Sequence, residues 1–199
     1  MKLSIRGYGD PILRAKGARV EAVDERIREL AANMIETMHE AHGVGLAAQQ
    51  IGEALQLTVV DVAEVEDRPS TMKLHGAELD PKSVMPLVLL NPELTLGEDA
   101  DLGLEGCLSF PEISADIWRA SSVVLRAQTL EGEAVEIEAS GLLARALQHE
   151  VDHLNGILFI DRMSAATKVA LRSRLKRMQK EAVAALKGET SNRETGTRP

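Results

Sequence analysis

The chain has 199 residues, 44% hydrophobic and 27% charged, which suits one soluble domain large enough to bury its own core. No stretch approaches the ~18 consecutive apolar residues needed to cross a bilayer. The opening Met1-Lys2-Leu3-Ser4 has neither the apolar run nor the Arg/Ser bias of a targeting segment, so a cytoplasmic protein with no membrane partner is expected. A formal charge of −8 and an aromatic content of 2% exclude an overall cationic or base-stacking surface, and no specific DNA partner is expected.

In chain order, residues 24–41 read as an amphipathic helix. Ile27, Leu30, Ala31, Met34, Ile35 and Met38 recur at three- and four-residue steps, Asp24 can cap the start, and Gly43 lies just past the end. The following Gly43-Val44-Gly45-Leu46-Ala47-Ala48-Gln49-Gln50-Ile51-Gly52 is too glycine-rich for a regular helix and too apolar for an exposed loop. Residues 56–62 and 87–90 are strand-like, and 63–86, polar with three prolines, reads as a long surface loop. Residues 122–129 and 134–139 alternate around Glu131-Gly132, a β-hairpin pattern in which Trp118 is expected to pack alongside.

A helix over 141–154 follows, with Ser140 as its cap and Asn155-Gly156 as its stop. The last helix is expected over 164–187, and 188–199, without periodicity, reads as a disordered tail. The fold class expected is α+β. Short strands in antiparallel or mixed sheets pack around a central helix carrying His149-Glu150-x-x-His153, with one helix near each terminus. Residues 1–187 would form a single catalytic domain.

The strongest chemical signal is His149-Glu150-Val151-Asp152-His153. Residues four apart share a helix face, so both imidazoles can reach one ion, and Glu150 is near enough to move a proton without being a ligand. The plain alternative is a solvated turn, but Leu142, Leu143, Ala146, Leu147 and Leu154 make this helix apolar and therefore buried. Buried imidazoles beside carboxylates need partners. A catalytic centre takes three protein ligands and leaves a position for water. Downstream, Asp161 is too close to the helix end and Glu181 lies in a basic helix. Upstream, Cys107, the only cysteine, sits in Leu104-Glu105-Gly106-Cys107-Leu108-Ser109. Composition alone makes it a small buried hydrophobe, but a thiolate is also a good ligand for iron(II) or zinc.

Three segments, in order, resemble the peptide deformylases: Gly43-Val44-Gly45-Leu46-Ala47-Ala48-Gln49-Gln50, then Glu105-Gly106-Cys107-Leu108-Ser109, then Gln148-His149-Glu150-Val151-Asp152-His153. The similarity runs from Tyr8-Gly9-Asp10-Pro11 to Ile160-Asp161. Two segments depart from the family pattern. Residues 63–86 are longer than in compact members, and Ile113-Ser114-Ala115 stand where some relatives carry an arginine.

The resemblance implies removal of the formyl group from the N-terminal formylmethionine of nascent chains, with N-formylmethionyl peptides as substrates and formate as product. It implies Cys107, His149 and His153 as ligands of one divalent ion, usually iron(II), with zinc, nickel or cobalt also able to occupy the site. Water acidified by the ion would attack the formyl carbon while Glu150 serves as acid/base. The Gln50 side chain and the Leu108 backbone N–H would hold the oxyanion. Val44, Gly45 and Gly106 would offer main chain to an extended peptide.

Two other classes compete with this one. A zinc endopeptidase would use the same helix with a carboxylate as third ligand, and a non-catalytic ribosome-associated protein would carry a structural metal. The first needs another ligand in place of Cys107, and the second a fourth. His39 and His42 read as helix-end charges and His75 as a solvated loop residue. Lys168, Arg172, Arg174, Lys176, Arg177 and Lys180 give the last helix a basic face, either merely solvated or, as the resemblance implies, docked on the ribosome.

Overall fold

The structure is a computed structural model and describes residues 2–195, without the side chains of 187 and 189–195. The first helix, α1 (Glu25–Glu40), forms as its pattern requires: the Asp24 side chain accepts from Ile27 N at 2.9 Å, and Ile27, Ala31, Met34 and Met38 are buried. It ends at His42 rather than at a glycine. His42 takes a left-handed φ of 54°, and Gly43 N returns to Met38 O at 2.9 Å.

Seven strands form one antiparallel sheet: β1 (Gly45–Ala47), β2 (Leu57–Val60), β3 (Ser70–Leu74), β4 (Ala77–Leu79), β5 (Leu87–Leu96), β8 (Ser122–Gln128) and β9 (Ala134–Ser140). Their order is β1-β2-β5-β8-β9-β3-β4. The expected β8–β9 hairpin is present, with Ser122 opposite Ser140. A bulge in β5 falls between Leu90 and Glu93, where Asn91 adopts φ 52°. That conformation suits asparagine, whose amide grips Val20 N and Val20 O at 2.8 and 2.9 Å and pins the N-terminal segment to the sheet.

The second helix, α2 (Gly141–Leu154), packs on the sheet through Leu142, Leu143, Ala146 and Leu147, which share a core with Val60, Leu125 and Ile137. The helix α1 makes a separate core with Leu46, Leu57 and Val59. A third cluster, Phe110, Ile117, Phe159 and Met163, joins the short helix α3 (Phe159–Arg162) to a two-stranded ribbon of β6 (Ala100–Gly106) and β7 (Ser114–Ala120). The architecture is α+β, and every strand ladder is antiparallel.

Several expectations need correction. Residues 63–86 are not a plain surface loop, because β3 and β4 form a hairpin at His75-Gly76, both at positive φ, and β3 extends the sheet from β9. The ribbon of β6 and β7 has no clear alternating pattern in the sequence, because Gly103 and Gly106 mask it. Trp118 does not pack beside the β8–β9 hairpin; it stands 64% exposed on β7, opposite Leu102.

The last helix, α4 (Ala165–Thr195), continues past the expected stop at Lys187. Extending an existing helix carries no nucleation cost, so Gly188 alone does not end it. Of the tail expected to be disordered, 196–199 lie outside the described residues.

Candidate metal centre

The helix α2 is oriented before any ion enters. Its start is satisfied by Ser70 of β3, whose hydroxyl accepts from Leu143 N at 2.9 Å, while the expected cap, Ser140, turns to Thr71 at 2.6 Å. Gln148 clamps β7 by accepting from Ala120 N at 3.0 Å and donating to Ala120 O at 2.9 Å. His149 and His153 therefore face the end of β6, their ring centroids 4.9 Å apart.

At that end the chain turns through Cys107, with Phe110 N donating to Cys107 O at 2.8 Å. Cys107 Sγ lies 3.3 Å from His153 Nε2, and one ligand atom from each of Cys107, His149 and His153 falls within 4.8 Å of the others. The other ring nitrogen of His149, Nδ1, meets the Glu105 carboxylate at 3.1 Å, which leaves Nε2 to face the sulfur. Burial opposes charge on His149, yet its bonds to Cys107 and Glu105 hold its pKa well above the usual value. Burial and the charge of His149 push His153 well below. A thiolate and two imidazoles converging on one point is a donor set that fits a divalent ion of the iron or zinc type.

Glu105 is itself held on three sides. Arg119 donates to it twice, at 2.9 and 3.1 Å, and Arg145 once, at 2.9 Å. Burial works against its charge, but the hydrogen bonds from His149 and Arg119 win and lower its pKa to about 2. Arg119 also donates to Asp152, which binds Arg162 at 2.6 Å. Arg145, rising from α2, donates to main-chain carbonyls of Asp101 at 2.9 Å and Ile117 at 2.8 Å, so it ties both ribbon strands to the helix. Gly103 leaves room for that guanidinium.

Beside the cluster, burial lifts the Glu150 carboxyl to about 7, against the pull of His149 and Thr58. Among the described residues its Oε2 has no hydrogen-bond partner, and neither does His153 Nδ1. A β-carbon on Gly45 would overlap this carboxylate, so the glycine is a steric requirement of Glu150. Gln50 Oε1 accepts from Ala47 N at 2.9 Å, which turns Nε2 toward Ser109 Oγ at 3.2 Å and Cys107 Sγ at 3.6 Å. The N-terminal segment holds both motifs in place, with Arg6 N donating to Gln50 O at 2.7 Å and Tyr8 N to Ser109 O at 2.9 Å.

A cavity of about 500 Å³ opens over the cluster; Val44, Gly45, Gln50, Gly106, Leu108 and Glu150 all line it, together with Cys107 and His149. His153 is buried at the back of the cluster, 1% exposed. The residues singled out from sequence thus come together. Sequence reasoning gave no role to Glu105, Arg119, Arg145, Asp152 or Ser109. The available signal was an arginine within the apolar run of α2, where a buried cation demands a partner. The acids considered as third ligands are engaged elsewhere: Asp161 pairs with Arg14, and Glu181 lies 3.8 Å from Arg177.

Fold and donor set together define the class, an α+β metal-dependent hydrolase. The chain belongs to the polypeptide deformylase family, whose profile it matches over residues 2–169. A peptide deformylase of Opitutus terrae is 46% identical over 189 residues, covering 94% of this chain and 98% of the relative. The crystal structure of the Thermus thermophilus peptide deformylase superimposes with a TM-score of 0.76 at 40% identity, covering 90% of this chain and 99% of that one. Peptide deformylase 1B of Arabidopsis thaliana, solved with an inhibitor, gives 0.77 at 37% identity and 91% coverage of each chain.

Proposed function

We propose that this protein removes the formyl group from N-terminal formylmethionine of newly made polypeptides, releasing formate and a free amine. The observation that carries the reading is the convergence of Cys107, His149 and His153 at the floor of a cavity that also presents Glu150 and the Gln50 amide. Residues 1–187 act as a single catalytic domain in the cytoplasm; no helix among the described residues is long and apolar enough to cross a membrane.

Cys107, His149 and His153 would hold one divalent ion, iron(II) in our reading, with zinc, nickel and cobalt compatible with the same donors. When bound, the ion supplies Lewis acidity, polarising the formyl carbonyl and lowering the pKa of water. Glu150, whose carboxyl is lifted by burial to about 7, takes a proton from the attacking water and delivers it to the amine nitrogen as the C–N bond breaks. Gln50 Nε2 and the Leu108 N–H donate to the carbonyl oxygen as it becomes negative. Main chain at Val44, Gly45 and Gly106 aligns the peptide in extended form. The methionine side chain takes the apolar wall of Val44, Leu142 and Ala146.

A zinc endopeptidase is disfavoured by the engagement of Asp161 and Glu181, and a structural metal by the three-donor cluster. On α4, Arg172, Lys176 and Lys180 are exposed at four-residue spacing, and we assign that stripe to docking on ribosomal RNA. The test of the main reading is formate release from a formyl-Met-Ala-Ser peptide by anaerobically purified protein, with metal analysis of the same sample. Metal-loaded protein that released no formate would sink it.

A further inference from the structure

The rim of the cavity carries a cation that the chemistry above does not use. Arg68 lines it, half-buried, and has neither an ion pair nor a hydrogen bond among the described residues. Of the other charged lining residues, Glu105 and Arg145 bind each other, Glu112 binds Arg174 at 2.6 Å, and Glu150 serves the chemistry above. Neighbouring Glu66 turns away to Lys82 at 3.7 Å.

The backbone that presents Arg68 is anchored. Pro69 O accepts from Leu142 N at 3.4 Å, and Ser70 bridges Gly141 and accepts from Leu143 N at 2.9 Å. The backbone next to Arg68 is thus held at the N-terminal end of α2, seven helical residues before His149, or about 10 Å along the axis. An extended peptide advances about 3.3 Å per residue. With its formyl group at the cluster, a substrate brings the residues just after methionine to that distance.

We infer that Arg68 is a specificity-determining residue that binds a carboxylate, favouring formylated peptides with an acidic side chain in the first two positions after methionine. A guanidinium presents paired N–H donors that match a carboxylate, and one already partly withdrawn from water and lacking a partner gains most from an anion. The inference rests on the deformylase reading and deepens it. The terminal carboxylate of a very short peptide offers the same chemistry, so the probes carry amidated C-termini.

The test compares kcat/KM for formyl-Met-Glu-Ala-amide and formyl-Met-Ala-Glu-amide with their Gln counterparts, using metal-loaded full-length protein. We expect the Glu peptide to be favoured about three- to fivefold at one or both positions, through KM, with the preference shrinking as salt rises. Arg68→Gln should bring the ratio to about one, Arg68→Lys should retain part of it, and Arg68→Glu should favour a Lys peptide instead. A Glu/Gln ratio near one in the unaltered protein, or one that survives Arg68→Gln, would overturn the assignment. So would an Arg68-dependent preference seen only between free-acid and amidated formyl-Met-Ala. Failure to turn over any formylated peptide would instead overturn the parent reading, and this inference with it.

Discussion

The Glu105 carboxylate meets Nδ1 of His149 at 3.1 Å while both its oxygens are also taken by Arg119. One acid thus sets the tautomer of a ligand ring and neutralises a buried arginine. Its place two residues before Cys107 couples the ribbon to α2 at the point where the donors converge.

Glu105→Gln keeps the size but loses the charge. Metal affinity should fall about 10- to 100-fold, as when a partner that orients a ligating histidine is removed. Breaking the buried pairs with Arg119 and Arg145 should also cost about 3 kcal/mol or more in stability. Chelator competition and urea unfolding measure the two effects, and unchanged metal retention would remove Glu105 from its orienting role.

Acid should act through the same residue. The folded carboxyl titrates at about 2, against 4.5 for the ordinary side chain. Its contribution, about 3 kcal/mol from that difference, is fully present above the unfolded value and is lost as pH falls toward the folded one. Urea midpoints between pH 6 and pH 2.5 should decline steeply for the wild type and less steeply for Glu105→Gln. Parallel declines would show that other carboxylates govern the acid limb.

Glu150→Ala should retain metal and lose activity by about 10²- to 10⁴-fold. Gly45→Ala should show a milder form of the same separation, because the new methyl group displaces the Glu150 carboxylate rather than any ligand atom. Bound metal and kcat, measured on one preparation, decide both. Loss of metal from Gly45→Ala in proportion to activity would contradict the steric argument.

Gln50→Glu keeps an oxygen for Ala47 N but has no N–H to offer the reacting oxygen. Turnover should drop by about 10²- to 10³-fold with little change in metal content. Near-normal kcat would take Gln50 out of the oxyanion site.

Replacing Arg172, Lys176 and Lys180 together by glutamate should abolish ribosome co-sedimentation at low salt while formate release from a free peptide persists. Undiminished co-sedimentation would return this face of α4 to a solvated surface.

Local order along the chain was enough to place α1, α2 and the β8–β9 hairpin, because caps, apolar spacing and turn residues act within a few positions of each other. The shared helix face of His149 and His153 follows from helix geometry alone. Cys107 is marked as their partner only by three motifs taken together, since nothing local joins it to residues more than forty positions later. The rest belongs to tertiary structure. Ser70 replaces Ser140 at the start of α2, Arg145 binds two strands that glycines disguise, and Arg68 reaches the cavity from a segment that reads as a loop. Each of these depends on groups distant in sequence meeting in a space where water is scarce. There an unpaired charge or N–H is costly, so the fold as a whole selects its partner.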